Sequence, residues 1–408
     1  MIDFLDHTPD GWIRVPLEKI SDVIMGQSPA SQFVNDDQVG VPFLQGNADF
    51  TSKHPIPIHW VTRPTKQAKK DDILISVRAP VGEINIADDE YCIGRGLAAI
   101  RFYKNIDRLF GWYAIGYYKD QLNQWAQGST FTAVSSTDVK QLRITLPQNE
   151  YEQRKIAEIL TTVDDAIEQT EALIHNYQRI KQGLMQDLFT KGINPRRSLT
   201  STELGTIPDE WKISQIKKIT NVRRGASPRP IDDPRYFNDT GRGWVRISDV
   251  TSTYKYLRTT SQYLSNLGSS LSVKVNPGDL IMSICASIGK PIILDMPACI
   301  HDGFVLFQDI HPDFDPEFLF YFLDYRSEFI RGMNQTGTQG NLNTGIVKSI
   351  FVPQPRLEEQ KEIISVLSSI DKSIENETQE RNKLVRIKQG LMQDLLTGKV
   401  RVNTLLKN

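Results

Sequence analysis

RIKQGLMQDLFT (Arg179–Thr190) and RIKQGLMQDLLT (Arg386–Thr397) are two nearly identical stretches of one 408-residue chain. Eleven of the twelve positions match, at an offset of 207 residues. Further pairs repeat in the same order: PDGW and PDEW from Pro9 and Pro208, GQSP and GASP from Gly26 and Gly225, DILIS and DLIMS from Asp72 and Asp279, CIGRG and CIHDG from Cys92 and Cys299. The chain is therefore predicted to be a tandem duplication of about 200 residues.

The offset between the copies changes once along the chain. The PDGW and GQSP pairs are 199 residues apart, whereas the DILIS and CIGRG pairs are 207 residues apart. Eight residues are thus inserted in the second copy between the equivalents of Pro29 and Asp72, and surface loops tolerate insertions best. Each half is predicted to combine a shared scaffold with a loop region that is free to differ.

The first part of each half alternates short β-branched runs with helical patches. The runs DILISVRAPVGEINIA and DLIMSICASIGKPIILD are apolar and are broken by Gly and Pro, which is typical of strands. RLFGWYAIGYYKDQLNQWA and EFLFYFLDYRSEFIRGM have aromatic residues at helical spacing. We predict an α+β fold with two mixed α/β heads, at residues 1–148 and 208–355.

The second part of each half is predicted to be one long helix, at 149–192 and at 356–398. A linker at 193–207 and a tail at 399–408 complete the domain prediction. About 40 residues make a rod of roughly 60 Å, which cannot bury an apolar stripe alone. We expect the two helices to pack antiparallel as a coiled coil, through a heptad-like seam and with room for partners. The seam comprises Ile156, Leu160, Val163, Ile167, Ile174, Leu184, Ile363, Leu367, Ile370, Ile374, Leu384 and Leu391.

The seam is interrupted at equivalent positions. Thr170 and Glu377 stand where an apolar residue is expected. Such polar residues fix register or leave room for outside helices, or they simply mark the solvated face of a two-helix rod. Gly183 and Gly390 lie inside the predicted helices, and we hypothesise that they permit close helix approach.

Composition excludes several classes of protein. The three cysteines form no CxxC pair and the six histidines are scattered, so we expect no metal site and no disulfide framework. No apolar run approaches the ~18 residues of a membrane span, and the N-terminus lacks a signal-peptide pattern. These observations favour the cytoplasm. The net charge of −1 argues against a uniformly basic coat but leaves local basic patches open.

The duplicated motifs resemble those of the specificity subunit of type I restriction-modification systems. The features that carry the resemblance are PDGW and PDEW, DILIS and DLIMS, EQRKIAEIL and EQKEIISVL, and the two KQGLMQDL helix ends, together with the linker TELGTIPDEW. The resemblance covers nearly the whole chain. It implies that each head is a target recognition domain that reads one half of a bipartite, asymmetric sequence of double-stranded DNA.

The resemblance also implies partners and cofactors that this chain does not carry itself. The helices would space the two half-sites and bind two methyltransferase (modification) subunits, which use S-adenosylmethionine to methylate adenine. Restriction subunits would join and cut DNA with ATP and Mg. The sequence has neither an (N/D)PP(Y/F) motif for adenine methylation nor a GxxxxGK(S/T) motif for phosphates. We therefore expect a non-catalytic reader with no cofactor of its own.

Candidate DNA-binding residues are polar loop residues in both heads. Arg, Lys, Asn, Gln, Ser and Thr suit base edges, and Lys and Arg suit phosphates. Arg78 and Arg95 are replaced by Cys285 and Asp302 in the second copy, as two different half-sites would require. The candidates are Gln27, Ser28, Gln45, Asn47, Lys53, Arg63, Arg78, Arg95, Thr130 and Thr132 in the first head, and Arg223, Arg224, Arg229, Arg246, Ser248, His301, Gln339 and Asn341 in the second.

Two other interpretations remain open from the sequence. One is a specificity subunit of a related, type IIB-like class in which a single partner both methylates and cleaves. The other is a duplicated coiled-coil scaffold that binds only proteins. Clustering of positive charge on one face of both heads, with salt-dependent duplex binding, would distinguish a DNA reader from such a scaffold.

Overall fold

The structure is a computed structural model that describes residues 8–127, 133–333 and 342–402. The chain forms two compact units. Unit 1 comprises residues 1–171 and 378–408, and unit 2 comprises residues 172–377. Each unit therefore contains one head, the beginning of the helix that follows it and the end of the other long helix.

Unit 1 contains three sheets among its described residues. One pairs β1 with β11, one has the order β2-β10-β7-β8, and one has the order β3-β5-β4-β9-β6. The elements are β1 (Trp12–Pro16), β2 (Ser21–Met25), β3 (Val34–Asn35), β4 (Val41–Leu44), β5 (His59–Val61), β6 (Gln67–Ala68), β7 (Ile73–Ser76), β8 (Ile84–Ile86), β9 (Tyr91–Ile93), β10 (Leu97–Phe102), α1 (Arg108–Tyr118), α2 (Asp120–Gln127), α3 (Ser136–Gln141), β11 (Arg143–Pro147) and the first part of α4 (Glu150–Lys191).

Unit 2 begins with the end of α4 and continues through a hairpin into the second head. Its elements are β12 (Leu199–Thr202), β13 (Gly205–Pro208), β14 (Lys212–Gln215), α5 (Ile216–Ile219), β15 (Asn221–Arg224), β16 (Phe237–Asn238), β17 (Arg242–Val245), α6 (Ile247–Thr251), β18 (Tyr256–Leu257), β19 (Tyr263–Leu264), α7 (Asn266–Ser270), β20 (Val273–Val275), β21 (Leu280–Ser283), β22 (Pro291–Leu294), β23 (Ala298–Ile300), β24 (Phe304–Gln308), α8 (Pro316–Tyr325), α9 (Ser327–Gly332), α10 (Thr344–Ser349), β25 (Phe351–Gln354) and the first part of α11 (Leu357–Leu396).

The sheets of unit 2 repeat those of unit 1. The order β15-β24-β21-β22-β18 corresponds to β2-β10-β7-β8 with one added strand, and β16-β19-β17-β23-β20 corresponds to β3-β5-β4-β9-β6. The pair β14-β25 corresponds to β1-β11. The segment predicted as a plain linker, 193–207, holds most of the β12-β13 hairpin. Polar turn composition concealed this hairpin, because its strands are largely exposed and lack an apolar period.

Each long helix has a buried glutamine side chain at an equivalent position near its start. Gln153 and Gln360 are almost fully buried. The side-chain oxygen of each accepts a backbone N–H just before α1 or α8, from Asp107 at 2.8 Å and from Asp315 at 2.9 Å. Each amide nitrogen donates to a carbonyl at the preceding strand end. A duplicated glutamine thus ties each long helix to its own head, because buried polar groups must be paired.

Within each unit, segments of α4 and α11 run antiparallel. In unit 1, Asp164 pairs with Lys388 at 2.6 Å and Glu171 pairs with Arg381 at 3.3 Å, so the residue number falls in one helix as it rises in the other. In unit 2, the pair Lys181–Asp371 occupies the equivalent place, also at 2.6 Å. The carboxylates accept a tyrosine hydroxyl from the head in each case, through Asp164 in unit 1 and Asp371 in unit 2.

Four of the predicted seam residues belong to the head cores. Ile156 and Leu160 are fully buried in the apolar core of unit 1, and Ile363 and Leu367 are fully buried in the core of unit 2. Leu391 and Leu184 pack against the same cores from the other helix. The remaining seam residues, Val163, Ile167, Ile174, Ile370, Ile374 and Leu384, are half-buried. Periodicity located the apolar face of each helix, but it could not indicate that head side chains cover part of it.

The hypothesis about the two helix glycines is wrong. An added Cβ at Gly183 or Gly390 would meet no heavy atom within 4 Å among the described residues, apart from the helix itself. Both glycines are exposed, so they mark open places on the helix surface rather than close helix approach.

The predicted fold class is confirmed. Two mixed α/β heads and two long helices form the described chain, in a duplicated arrangement. Within the described ranges, no helix combines the length and the apolar character that a membrane crossing requires.

Candidate nucleic-acid interface

Two loops of the first head meet at the ends of β2 and β9, and their residues 26–28 and 93–97 are here called loop frame 1. Gly26 N–H donates to Leu97 O at 2.9 Å, and Gln27 N–H donates to Ile93 O at 2.9 Å. Gly26 has no room for a side chain, since an added Cβ would lie 2.1 Å from the carbonyl oxygen of Gly94. Glycine is therefore required for the two backbones to approach this closely.

The second head repeats this frame bond for bond, and its residues 225–227 and 300–304 are called loop frame 2. Gly225 N–H donates to Phe304 O at 2.9 Å, and Ala226 N–H donates to Ile300 O at 3.1 Å. An added Cβ at Gly225 would lie 2.1 Å from the carbonyl oxygen of His301. The duplicated GxSP motif therefore builds the same backbone platform in both heads.

Loop frame 1 collects polar side chains of the first head. The Ser28 hydroxyl accepts hydrogen bonds from the backbone N–H and from Nε of Arg95, both at 3.3 Å. Gln27 and Arg95 are exposed. Gln45 is also exposed and lies beside this frame, because its carbonyl oxygen would be 3.0 Å from a Cβ at Gly94. Polar residues from three loops thus lie close together at the ends of β2, β4 and β9.

Loop frame 2 carries a different set of charges. The Ser227 hydroxyl donates to one carboxylate oxygen of Asp302 at 2.7 Å, and Arg229 Nη2 donates to the other at 3.1 Å. Arg224 Nε donates to the backbone oxygen of Asp302 at 2.8 Å. Burial raises the pKa of the Asp302 carboxyl, but the hydrogen bonds from Ser227 and the backbone, with the charge of Arg229, outweigh it and lower that pKa below its usual value. Asp302 is therefore a carboxylate at neutral pH.

A cavity of about 300 Å³ opens beside loop frame 2, and Arg246, Ser248, His301 and Asp302 line it. The His301 ring lies 4.8 Å from the ring of Phe304 and 5.8 Å from that of Trp244, between ring centroids. Burial lowers the pKa of His301, so the imidazole is neutral at neutral pH. Its Nδ1 accepts the backbone N–H of Gly303, which gives His301 a structural role at the wall of the cavity.

The other predicted DNA-binding residues lie at varied distances from these frames. Asn47 follows Gln45 in a short 3-10 helix, and the Arg63 guanidinium stacks on Phe33 at 4.6 Å. Arg78 forms an isolated β-bridge with Ala133. It lies next to loop frame 1, because the N–H of its neighbour Val77 donates to Gly96 O at 2.9 Å. Thr130, Thr132, Gln339 and Asn341 lie outside the described residues.

Lys53 and Arg223 are not brought into the loop frames. Lys53 lines a separate cavity with Trp112 of α1 and Asp164 of α4. Arg223 and Arg224 are neighbours on β15, and successive strand residues point to opposite faces, so the observed frame contact belongs to Arg224.

Ser227 and Asp302 are frame residues that sequence reasoning did not include among the candidates. The signal was present, because Ser227 is the duplicate of the candidate Ser28 and Asp302 is the duplicate of the candidate Arg95. A search for positively charged or amide side chains passes over a carboxylate, since an isolated carboxylate repels phosphates. Arg224 and Arg229 lie beside Asp302 and offset its negative charge, so this carboxylate can lie near phosphates.

The chain matches known proteins over most of its length. A family model described as the type I restriction modification DNA specificity domain matches residues 9–176 and 208–386. The MjaVIII type I restriction enzyme specificity subunit of Methanocaldococcus jannaschii is 27% identical over 98% of this chain and 95% of that one. A second M. jannaschii protein is 41% identical over 189 residues, where the match spans 46% of this chain and only 44% of that relative.

The fold has solved counterparts as well. The S subunit of a type I restriction-modification system from M. genitalium superposes with a TM-score of 0.61 at 14% identity, over 97% of this chain and 98% of that one. At this identity the likeness concerns the fold. Because the family model covers both halves, including both loop frames, the chain belongs to the type I restriction modification DNA specificity domain family.

Proposed function

We propose that this chain is the DNA-reading specificity subunit of a restriction-modification complex, and that each head reads one half of a bipartite target. The observation that carries the proposal is the repetition of one loop frame with different polar side chains. Ser28 faces Arg95 in the first head, and its duplicate Ser227 faces Asp302 in the second. A fixed platform with exchanged side chains is what recognition of two different base sequences requires.

Charge on loop frame 2 supports contact with a nucleic acid. Arg224 and Arg229 both approach Asp302, and both are exposed. Exposed arginines next to hydrogen-bonding side chains can bind phosphates while their neighbours read base edges. A scaffold that binds only proteins is not expected to bind a DNA duplex with a dependence on salt concentration.

Replacing both Arg224 and Arg229 by alanine is expected to weaken binding of a DNA duplex and to flatten its salt dependence. Each lost phosphate contact lowers the slope of log K against log salt by about 0.9, so we expect a reduction of roughly 1 to 2. The measurement is fluorescence anisotropy with a labelled duplex at several salt concentrations, on the chain assembled with its modification partner. Arg223→Ala is the matched comparison, since that side chain points to the other face of β15. Equal slopes for the double variant and the unmodified chain would remove both arginines from the interface.

We further propose that α4 and α11 set the spacing of the half-sites and dock two modification subunits. Ile180 and its duplicate Ile387 are 49% and 41% exposed, although isoleucine is among the residue types most often buried. Gly183 and Gly390 follow one turn later with open space around them. The same apolar, uncrowded patch thus occurs twice, which fits two copies of one partner. The partners would supply S-adenosylmethionine, ATP and Mg chemistry, and this chain would supply recognition alone.

A further inference from the structure

We propose that Arg95 and Asp302 set the base that each head prefers at one equivalent position of its half-site. Arg95 would select guanine in one half-site, and Asp302 would select cytosine in the other. This inference rests on the proposed function, because it assumes that the loop frames face DNA. It goes beyond that function by naming the side chains that distinguish one half-site from the other.

Equivalent backbone hydrogen bonds hold the two loops that carry Arg95 and Asp302. Leu97 N–H donates to Gly94 O at 3.0 Å, and Phe304 N–H donates to His301 O at 3.1 Å. Val77 N–H donates to Gly96 O at 2.9 Å, just as Ile284 N–H donates to Gly303 O at 2.8 Å. The loops around residues 95 and 302 are therefore closed by matched hydrogen bonds on both sides. A side chain at either position leaves its head from the same place on the scaffold.

Arg95 is built to present hydrogen-bond donors. Its Nε is engaged by the Ser28 hydroxyl at 3.3 Å, which helps to fix the plane of the guanidinium. An arginine offers a planar fork of N–H donors, and the fork matches the O6 and N7 acceptors of guanine in the major groove. No other base presents two acceptors side by side on that edge.

Asp302 presents acceptors from the same place. One carboxylate oxygen accepts from Ser227 and the other from Arg229, and each oxygen has a further lone pair to offer. Cytosine presents the N4 amino group as its donor in the major groove. Adenine also has an amino group, but its N7 acceptor lies beside it and would repel the carboxylate. The ion pair with Arg229 offsets the negative charge of Asp302, which would otherwise be repelled by DNA phosphates.

A competing account is that Asp302 only positions Arg229 through their 3.1 Å contact. That account predicts weaker binding without a change of sequence preference when Asp302 is altered. Recognition by Asp302 predicts a change at one base pair. Arg95 provides an independent check, because its contact in the frame is with Ser28 and involves no ion pair.

The experiment is to co-express the chain with a partner modification subunit in a methylation-free host and to map methylated adenines for the unmodified chain, Arg95→Asp and Asp302→Arg. We expect each variant to change one position of one half-site, from guanine to cytosine or the reverse, and to leave the other half-site intact. The preference for the original base should fall roughly 10- to 100-fold. Arg258→Asp is the control, because Arg258 is an exposed arginine outside the frames that pairs with Asp295.

The outcomes separate this inference from the proposed function. If the unmodified chain gives no split motif, the proposed function fails. If it gives one and both variants methylate the unchanged motif, the assignment of Arg95 and Asp302 is overturned. If a charge reversal abolishes methylation, Arg95→Gln and Asp302→Asn are mapped instead. Relaxed preference at a single position supports the inference, and an unaltered motif overturns it.

Discussion

Replacing Glu359 by alanine is expected to lower the free energy of unfolding of unit 2 by about 3 kcal/mol. The substitution removes the acid of a largely buried ion pair and leaves its arginine behind. Glu359 is 9% exposed. Both of its carboxylate oxygens lie 2.7 Å from Arg197 Nη1, and the carboxylate also accepts from Trp211 Nε1 at 3.1 Å and from Ile193 N–H at 3.2 Å. Alanine would leave the Arg197 guanidinium with only its longer 3.8 Å ion pair to Glu210, and it would leave an indole N–H and a backbone N–H without their acceptor.

Scanning calorimetry of the full chain measures this effect. A unit of about 200 residues should lose roughly 6 to 12 °C in the midpoint of its transition. Glu358→Ala is the control, since Glu358 is an exposed neighbour on the same turn of α11. The duplicate Glu152→Ala should cost less, because Glu152 accepts from Arg401, while the Trp12 indole N–H has no acceptor among the described residues. A change below about 1 kcal/mol for Glu359→Ala would contradict this account.

Phe189→Ala is expected to destabilise unit 2 by about 3 to 5 kcal/mol, as deletion of a buried aromatic ring does. Phe189 lies near the end of α4, is 2% exposed and packs against rings of α8. Its ring centroid is 5.6 Å from that of Phe318 and 5.5 Å from that of Phe322. The end of the first long helix is thus part of the second head's core, and removing its ring leaves a cavity there.

The duplication supplies the control for this variant. The position equivalent to Phe189 in the other copy is Leu396, which is fully buried in the core of unit 1. Phe189→Leu should therefore cost much less than alanine, roughly 1 kcal/mol, because leucine retains most of the buried apolar area. Urea unfolding followed by circular dichroism measures both variants. Equal, small effects would show that the end of α4 does not belong to that core.

The repeat explains why the sequence predicted the fold so well. Two copies of each motif identified the heads, and a sustained apolar period predicted helices at 149–192 and 356–398, where the structure has Glu150–Lys191 and Leu357–Leu396. The period could not show what covers the apolar face. Ile156 and Leu160 fit a helix seam but lie in a head core, because the head packs directly on the start of its own helix.

The candidate interface was predicted less completely than the fold. The GxSP motif led to Ser28 as a candidate, but only the folded chain shows that residues 95 and 302 occupy equivalent places in the two loop frames. Lys53 and Arg63 are both candidates from the first head, yet Lys53 lines a cavity with Trp112 of α1, whereas the Arg63 guanidinium stacks on Phe33. Candidates that are close in sequence can therefore lie in different parts of the folded head.

If one chain reads two half-sites, the DNA methylation that it directs must show both of them. The chain is co-expressed with a partner modification subunit in a methylation-free host, and N6-methyladenine is located by long-read sequencing. We expect a single split motif, with two defined halves and an unspecified spacer of fixed length. A stable complex that leaves the DNA unmethylated, or a motif with only one defined half, would contradict it.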